Sequence, residues 1–450
     1  VIRTRKFILY IGLLTALPLF YCLLNYGIHY SQGADEKDGT AGTAGNAYYV
    51  SNSGSDDNSG ASANSPWRTL QKVNRFKLSP GDTVYFQKGG MWRGQLIPQS
   101  GDETAPVRYS AYGRGSDPQI LGSVEKNKAS DWTLSGKNIW SAGPFETDVG
   151  NVILEDGRYC GVKVWRESDL KKQNDFWFDR ASGMLKLYSV KNPAQAYADI
   201  ECALRRNIVD QSNKRYVVYN GLALKYGGAH GIYGVNTSFV SIRNCSISYI
   251  GGGDQYMDGR QIRFGNGVEF WNSAHDASVE NCRIFEIYDA AVTNQGRGED
   301  NSQYNITYKG NQIWNCEYSF EYWNAPEGSL TANILFEDNN CKNAGGGWGH
   351  GQRPDPAGRH LCFYENRART ESITIRNNVF DQAEEACIYI PVNWRDLGNL
   401  TLERNTYLQP TGQTFAIWQS KTFPADRFQS YKTYTGKDND SVLKLTEARN

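Results

Sequence analysis

Seven short segments of this 450-residue chain repeat one pattern, and that repetition restricts the fold more than any single motif does. They are YVVYNGLA, VSIRNCSI, ASVENCRI, ITYKGNQI, ILFEDNNC, ITIRNNVF and LTLERNTY. Each carries apolar or aromatic residues at its first, third and eighth places and Gly, Cys or Asn at its sixth, with small exceptions. The third-place column reads Val218, Ile242, Val279, Tyr308, Phe336, Ile375 and Leu402. The sixth-place column reads Gly221, Cys245, Cys282, Asn311, Asn339, Asn378 and Asn405, at intervals of 24, 37, 29, 28, 39 and 27 residues. Period-two alternation of apolar residues predicts strands. A strand and a turn recurring every few dozen residues predict stacked coils, each burying its face on the next. Asn at a fixed turn position can pass its amide bond from coil to coil, so these residues are expected to hold the solenoid together rather than do chemistry.

Composition agrees with this reading. Aromatic residues make up 13% of the chain, and it has 46 Gly but only 3 Met, which suits strands and turns better than a helical bundle. The 48 basic residues balance the 48 acidic ones, which argues against a general nucleic-acid binder. At the N-terminus, Phe7–Leu24 is free of charge and follows Arg3, Arg5 and Lys6, the pattern of an exported chain with a signal anchor or a cleaved signal peptide. Residues 31–46 read as a flexible linker. Nine Cys occur, with no CxxC and no zinc-like Cys/His spacing. Export would permit disulfides, and buried free thiols are the alternative.

The column pattern resembles the right-handed parallel β-helix of pectate-lyase-like, secreted bacterial polysaccharide-active proteins. Upstream, YYVSNSGSDDNSG, SPWRTLQKVN, LSPGDTVYFQKGGMWRGQLIPQSG and APVRYSAYG are similar to the opening of secreted β-helix lyases, glycosidases and epimerases. The stretch DFWFDRASGMLKLYSVKNP resembles a small β-rich insertion of bacterial members. The likeness covers about residues 46–420 and implies an all-β solenoid with an N-terminal capping helix and a small β-rich insertion, to which the charge-free segment adds an N-terminal membrane segment. The expected division is 1–30 anchor or signal, 31–46 linker, 47–130 cap and first coils, 131–200 insertion, 201–420 main helix and 421–450 tail or cap. Ser65, Pro66 and Trp67 supply an N-cap, an N1 proline and an apolar residue, with Leu70, Val73 and Phe76 continuing one helical face. Such a helix would cover the open edge of the first coil.

A second strand recurs in each coil: HGIYGV, NGVEFW, AAVTNQ, YSFEYW, HLCFYE, ACIYIP and TFAIWQ. Its inward column is expected at Ile232, Val268, Val292, Phe320, Cys362, Ile388 and Ala416. Alternation then turns Tyr233, Glu269, Thr293, Glu321, Phe363, Tyr389 and Ile417 outward. Beside them lie Val235, Trp271, Gln295, Trp323, Glu365, Pro391 and Gln419. The two longest intervals hold Gly-rich inserts just before this strand, at 251–265 and 345–360, and irregular loops on a regular repeat commonly carry function. Walls three strands apart would stand about 14 Å from each other, wide enough for a sugar chain. Glu269 and Glu321 are the candidate acid and base of a glycoside hydrolase, and their backbones are expected about 9.6 Å apart. His350 and Arg353 are candidates from the second insert. Tyr233, Trp271, Gln295, Trp323, Glu365, Arg263, Arg297, Arg359 and His360 are the candidate substrate contacts, and Asp254, Asp258 and Arg260 could also reach the cleft.

The leading expectation is therefore an exported, periplasmic or extracellular enzyme that cleaves a polysaccharide in a groove on the coil. Its partners would be a glycan and, through an uncleaved N-terminal segment, the membrane, with no nucleic acid. No organic cofactor is expected, and calcium only if the reaction is elimination. The alternatives are a polysaccharide lyase or uronate epimerase, with an Arg neutralising the carboxylate and His350 or His360 as base, and a non-catalytic sugar-binding or surface-structural β-helix. The Lys/Arg pattern of alginate-lyase-like β-helices, the Asp triad of polygalacturonases and the calcium-binding Asp cluster of pectate lyases are not found.

Overall fold

Alternating burial along short strands builds the fold one coil at a time in a computed structural model that describes residues 45–257, 259–298 and 301–447. In Ser238–Arg243, Val240 and Ile242 point into the core while Ser241 and Arg243 face out. Ile242 pairs with Val279, Val279 with Tyr308, Tyr308 with Phe336, Phe336 with Ile375, and Ile375 with Leu402. All these pairings are parallel, and the sheet they form has 11 strands. A second sheet of 17 strands, also mostly parallel, closes the coils around the same apolar core, which runs from Val50 to Tyr431. The chain is a parallel β-helix.

The first repeat sits one residue away from its expected phase. Tyr219, not Val218, pairs with Ile242, and Val218 lies beside Ser241 on the outer face. The segment is apolar at both phases, so period-two reasoning cannot choose between them, whereas only Val217 and Tyr219 fall in register with Val107 and Tyr109 below.

The Asn column forms a buried ladder. Asn339 Oδ1 accepts from both the backbone N–H and the side-chain amide of Asn311, at 2.9 Å each. Asn378 does the same for Asn339, and Asn405 for Asn378. The ladder starts on the Cys282 N–H and ends on Ser441 and Asp438. A second ladder lies on the surface, where Asp276 accepts from Asn305 and Asn305 from Asn333. These three residues have φ of 49°, 54° and 52°, a left-handed corner that Asn and Asp tolerate best.

The helix over the first coil spans Leu70–Arg75, one turn later than the sequence suggested. Thr69 is its N-cap, accepting from the Lys72 N–H, because Asp56 binds the Thr69 hydroxyl and the Arg68 and Thr69 N–H groups. Trp67 instead lies extended beside Val50, its indole N–H bonded to the Asn58 carbonyl. Between Ser123 and Leu204 the chain leaves the coil and builds one four-stranded and one five-stranded sheet, packed around Trp132, Phe176, Leu185 and Ile200. The coil then resumes, with Ala223–Lys225 pairing onto Gln119–Leu121 across the excursion. At the far end, Val442–Thr446 adds a last parallel strand to Thr406–Pro410. The eight described Cys are free thiols. The Phe7–Leu24 segment and Cys22 lie outside the described residues, and among the described residues no helix is long and apolar enough to cross a membrane.

Replacing Asn339 or Asn378 by Ala removes an acceptor from a buried N–H and an amide at once, which should cost about 1–3 kcal/mol each. Thermal unfolding of both variants is the measurement, and an unchanged Tm in both would contradict the ladder's role. Neither change should affect turnover per folded molecule.

Candidate active site

The site is assembled on consecutive rungs of the larger sheet. Its strands are β1 (Ile232–Val235), the hairpin β2 (Gly253–Met257) and β3 (Arg260–Phe264), β4 (Val268–Trp271), β5 (Arg283–Gly296), β6 (Gln312–Asn324) and β7 (Arg359–Asn366). Tyr233, Glu269, Thr293 and Glu321 stand in one register column, and Val235, Trp271, Gln295 and Trp323 in the next. Glu269 and Glu321 are thus two rungs apart, with the buried Thr293 between them. In β7 the phase differs from expectation by one residue. Leu361 and Phe363 point inward, and Cys362 takes the place beside Glu321. HLCFYE is apolar at consecutive positions, so its phase is set by the pairing of Phe320 with Leu361 and of Leu361 with Ile388.

These rungs floor a cleft of about 770 Å³. The two inserts form its walls. Gln255, Met257, Ile262, Arg263 and Phe264 come from the β2–β3 hairpin, and Arg353, Pro354 and Asp355 from the second insert. Trp271 and Trp323, half-exposed, meet edge to face with ring centroids 5.5 Å apart and make an aromatic shelf over Gln295. Arg205, Arg206, Asn207 and Gln95 line the end nearest the chain's first coils.

Four carboxyl groups line this one cavity: Asp355 on the second insert, and Glu269, Asp289 and Glu321 on or beside the rungs. Burial, followed by the charges of Asp289 and Glu269, pushes the Glu321 carboxyl well above the ordinary carboxylate range. Its Oε2 accepts from the Gln295 amide at 2.8 Å. Asp289 is raised to about 6, first by burial, and Arg353 partly offsets the rise through a 3.3 Å contact. Glu269 is almost fully buried and accepts from the Asn266 amide at 2.6 Å. Asp289 was not expected from the columns. It lies at the irregularity between Ile287 and Ala290 where β5 loses register with β6, so it belongs to no rung.

The second insert is anchored behind the cleft. Glu317 is buried and accepts from His350 Nδ1 at 3.0 Å and from the N–H groups of Ala357 and Gly358. Burial would raise its pKa, but the His350 bond and the Arg353 charge outweigh it and hold Glu317 below the usual range. The same bond raises His350. Arg353 is packed over Tyr288 and Tyr318 and faces Asp289, Glu317 and Asp355. Its guanidinium is therefore committed to the protein's own carboxylates.

Of the sequence candidates, the structure gathers Tyr233, Arg263, Glu269, Trp271, Gln295, Glu321, Trp323 and Arg353 around the cleft. His350 stands behind Arg353 rather than on the lining. His360 is a correction. It is fully buried against Phe380, bonded to Ser319, and burial holds its pKa down at about 3. Arg359 pairs with Glu385 and stacks on Tyr389, away from the cleft lining. Glu365 follows an irregularity in β7 and pairs with Arg367, and Tyr364 takes its place at the cleft. Arg297 lies off the lining, its backbone N–H bonded to Asn272. Arg260 is exposed and off the lining, and Asp254 is buried between Lys163 and Arg263. Asp258 lies outside the described residues. Among the described residues no cluster of three or more His, Cys, Asp or Glu is arranged to hold a metal ion.

No family model matches the sequence. A curated relative, the lacto-N-biosidase of Bifidobacterium longum subsp. longum, is 35% identical over 155 residues, 32% of this chain. The match spans 9% of that much longer protein. Among solved structures, XylC in complex with xylose aligns at 12% identity over 88% of this chain and 82% of its own, with a TM-score of 0.47. The GH136 lacto-N-biosidase of Eubacterium ramulus aligns at 14% identity over 89% and 67%, with a TM-score of 0.42. Pectate lyase Pel9A aligns at 10% identity over 84% and 78%, with a TM-score of 0.44.

Proposed function

We propose that the chain is an exported enzyme that hydrolyses a glycosidic bond of an oligo- or polysaccharide in the cleft between the two inserts. The observation that carries this reading is a buried carboxyl, Glu321, whose burial favours its protonated form, in one cleft with three further carboxyls and an aromatic shelf. A sugar ring resting its apolar face on Trp271 and Trp323 would hold its glycosidic oxygen near Glu321. Glu321 gives its proton to that oxygen as the bond to the anomeric carbon breaks. Glu269 takes a proton from a water whose oxygen forms the new bond to that carbon. The rung spacing implies backbones about 9.6 Å apart, and an inverting hydrolase needs about 6.5–9.5 Å between the carboxyl groups themselves to admit that water. Burial, with the charge of Asp289 added to it, favours the protonated form of Glu321, and Arg353 pairs with Asp289 at 3.3 Å.

Elimination needs a cation free to neutralise a uronate and a base on the cleft. Arg353 is already surrounded by three carboxylates, and His350 is bonded to Glu317 off the lining. These two candidates from the second insert are thus engaged elsewhere, but Arg205, Arg206 and His230 also line the cleft, so the preference for hydrolysis rests on the carboxyl cluster and on the glycosidase name of the curated relative. The charge-free Phe7–Leu24 segment behind Arg3, Arg5 and Lys6 supports export.

A panel of polysaccharides and oligosaccharides assayed for new reducing ends and for the ultraviolet absorbance of new double bonds tests the reading. Reducing ends without unsaturation are expected. Unsaturated products would establish a lyase, and binding without either product would establish a sugar-binding module. Glu269→Gln and Glu321→Gln should each lower kcat by about 10²–10⁴ with sugar affinity retained. Trp271→Ala and Trp323→Ala should chiefly raise KM. Full activity in both Gln variants would remove these residues from the chemistry.

Glu321 acts in its protonated form, so activity should fall as pH rises through its elevated pKa. Asp289→Asn removes a neighbouring negative charge and should move that alkaline limb to lower pH. Loss of turnover at every pH would make Asp289, not Glu269, the residue that activates water.

A further inference from the structure

His230 lies outside every repeat column, in the turn that leads into β1, yet its ring lines the cleft. It is stacked on Tyr233 and tilted against Phe264, with ring centroids 5.2 and 5.1 Å away. Its Nδ1 has two neighbours. The backbone N–H of Asn266 points at it from 3.1 Å, and Oε2 of Glu269 lies 2.9 Å away. Asn266 fixes this geometry from three sides. Its amide donates to Glu269 Oε2, its amide oxygen accepts from the Ala290 N–H, and its carbonyl accepts from the Gly231 N–H.

One ring nitrogen cannot serve both neighbours in every protonation state. If Nδ1 is bare, it accepts from Asn266, and its lone pair then faces a carboxylate oxygen at 2.9 Å unless Glu269 carries a proton. If Nδ1 carries the hydrogen, it donates to Glu269 and leaves the buried Asn266 N–H without its acceptor. An ionised Glu269 beside a neutral His230 therefore always costs either a repulsive contact or an orphaned N–H. Adding one proton, on Glu269 or on the ring, removes the repulsion.

We infer that His230 and Glu269 hold one dissociable proton between them, and that His230 sets the pH at which Glu269 becomes a base. The role given to Glu269 rests on the hydrolytic reading above, whereas the shared proton rests on geometry alone. Other groups face the pair. Tyr233 stacks on the ring, Tyr308 lies beneath Glu269 in the core, and Asp289 and Glu321 share the cleft. The cations on the lining are Arg205, Arg206, Arg263 and Arg353, and Asp355 adds a further carboxylate. Asp289 and Glu321 favour retention of the proton, and the arginines oppose it. None of them touches Nδ1, so the contribution of His230 is separable by substitution.

His230→Phe keeps the stacked ring and removes the nitrogen. With the lone pair facing the carboxylate gone, the acidic limb of kcat/KM should move to lower pH. An unmoved limb in a variant with native folding would overturn the inference. The second measurement needs no substrate. With five His in the chain, the imidazole signals of labelled protein can be followed against pH and the His230 signal assigned by its loss in the Phe variant. Glu269→Gln should shift the His230 titration to lower pH, because no carboxylate remains to share the proton. A His230 titration indifferent to Glu269→Gln would refute the pairing. If no glycan is turned over but the two titrations remain linked, the hydrolytic reading fails and the shared proton stands.

Discussion

Parallel stacking of coils at a fixed spacing is the constraint on which everything else depends. Strands about 4.8 Å apart bring equivalent residues of successive coils into contact, so one apolar residue per coil becomes a continuous core and one amide per coil becomes a ladder. The buried Asn311–Asn339–Asn378–Asn405 chain shows how strictly the phase is kept, since the amide oxygens of Asn339, Asn378 and Asn405 each serve the backbone and the side chain of the preceding rung. The same spacing places Glu269 and Glu321 two rungs apart and Trp271 and Trp323 beside them. The cleft inherits its spacing from the scaffold.

The scaffold was readable wherever a repeat alternated cleanly. Ile242, Val279 and Ile375 pair with their neighbours in the order the columns gave. Phase was ambiguous where both faces of a strand are apolar. Tyr219 displaced Val218, and Leu361 displaced Cys362, because tertiary pairing rather than local pattern decides between two equally apolar phases. The late start of the capping helix has a different cause. Asp56, thirteen residues upstream of Thr69, supplies the bonds that make Thr69 the cap, and no local window contains it.

The cleft was legible on the rungs and obscure off them. Glu269, Trp271, Gln295, Glu321 and Trp323 follow from alternation alone. Asp289 sits in a break of register and His230 in a turn, so neither carries a periodic signal. A polar residue next to a Gly-rich interruption of the repeat, as in the segment GGAHGI, is the cue that could have marked His230. His360 misled in the opposite direction. It stands at the edge of an insert, but its ring turns into the core beside Phe380, where burial suppresses its charge.

The most direct test of the central claim is a crystal structure of the Glu321→Gln variant with an uncleaved oligosaccharide. The account predicts a sugar ring against the Trp271–Trp323 shelf, with a glycosidic oxygen within hydrogen-bonding reach of residue 321 and a water beside Glu269. A glycan bound elsewhere on the coil, or one in the cleft whose glycosidic oxygens all lie out of reach of residue 321, would contradict it.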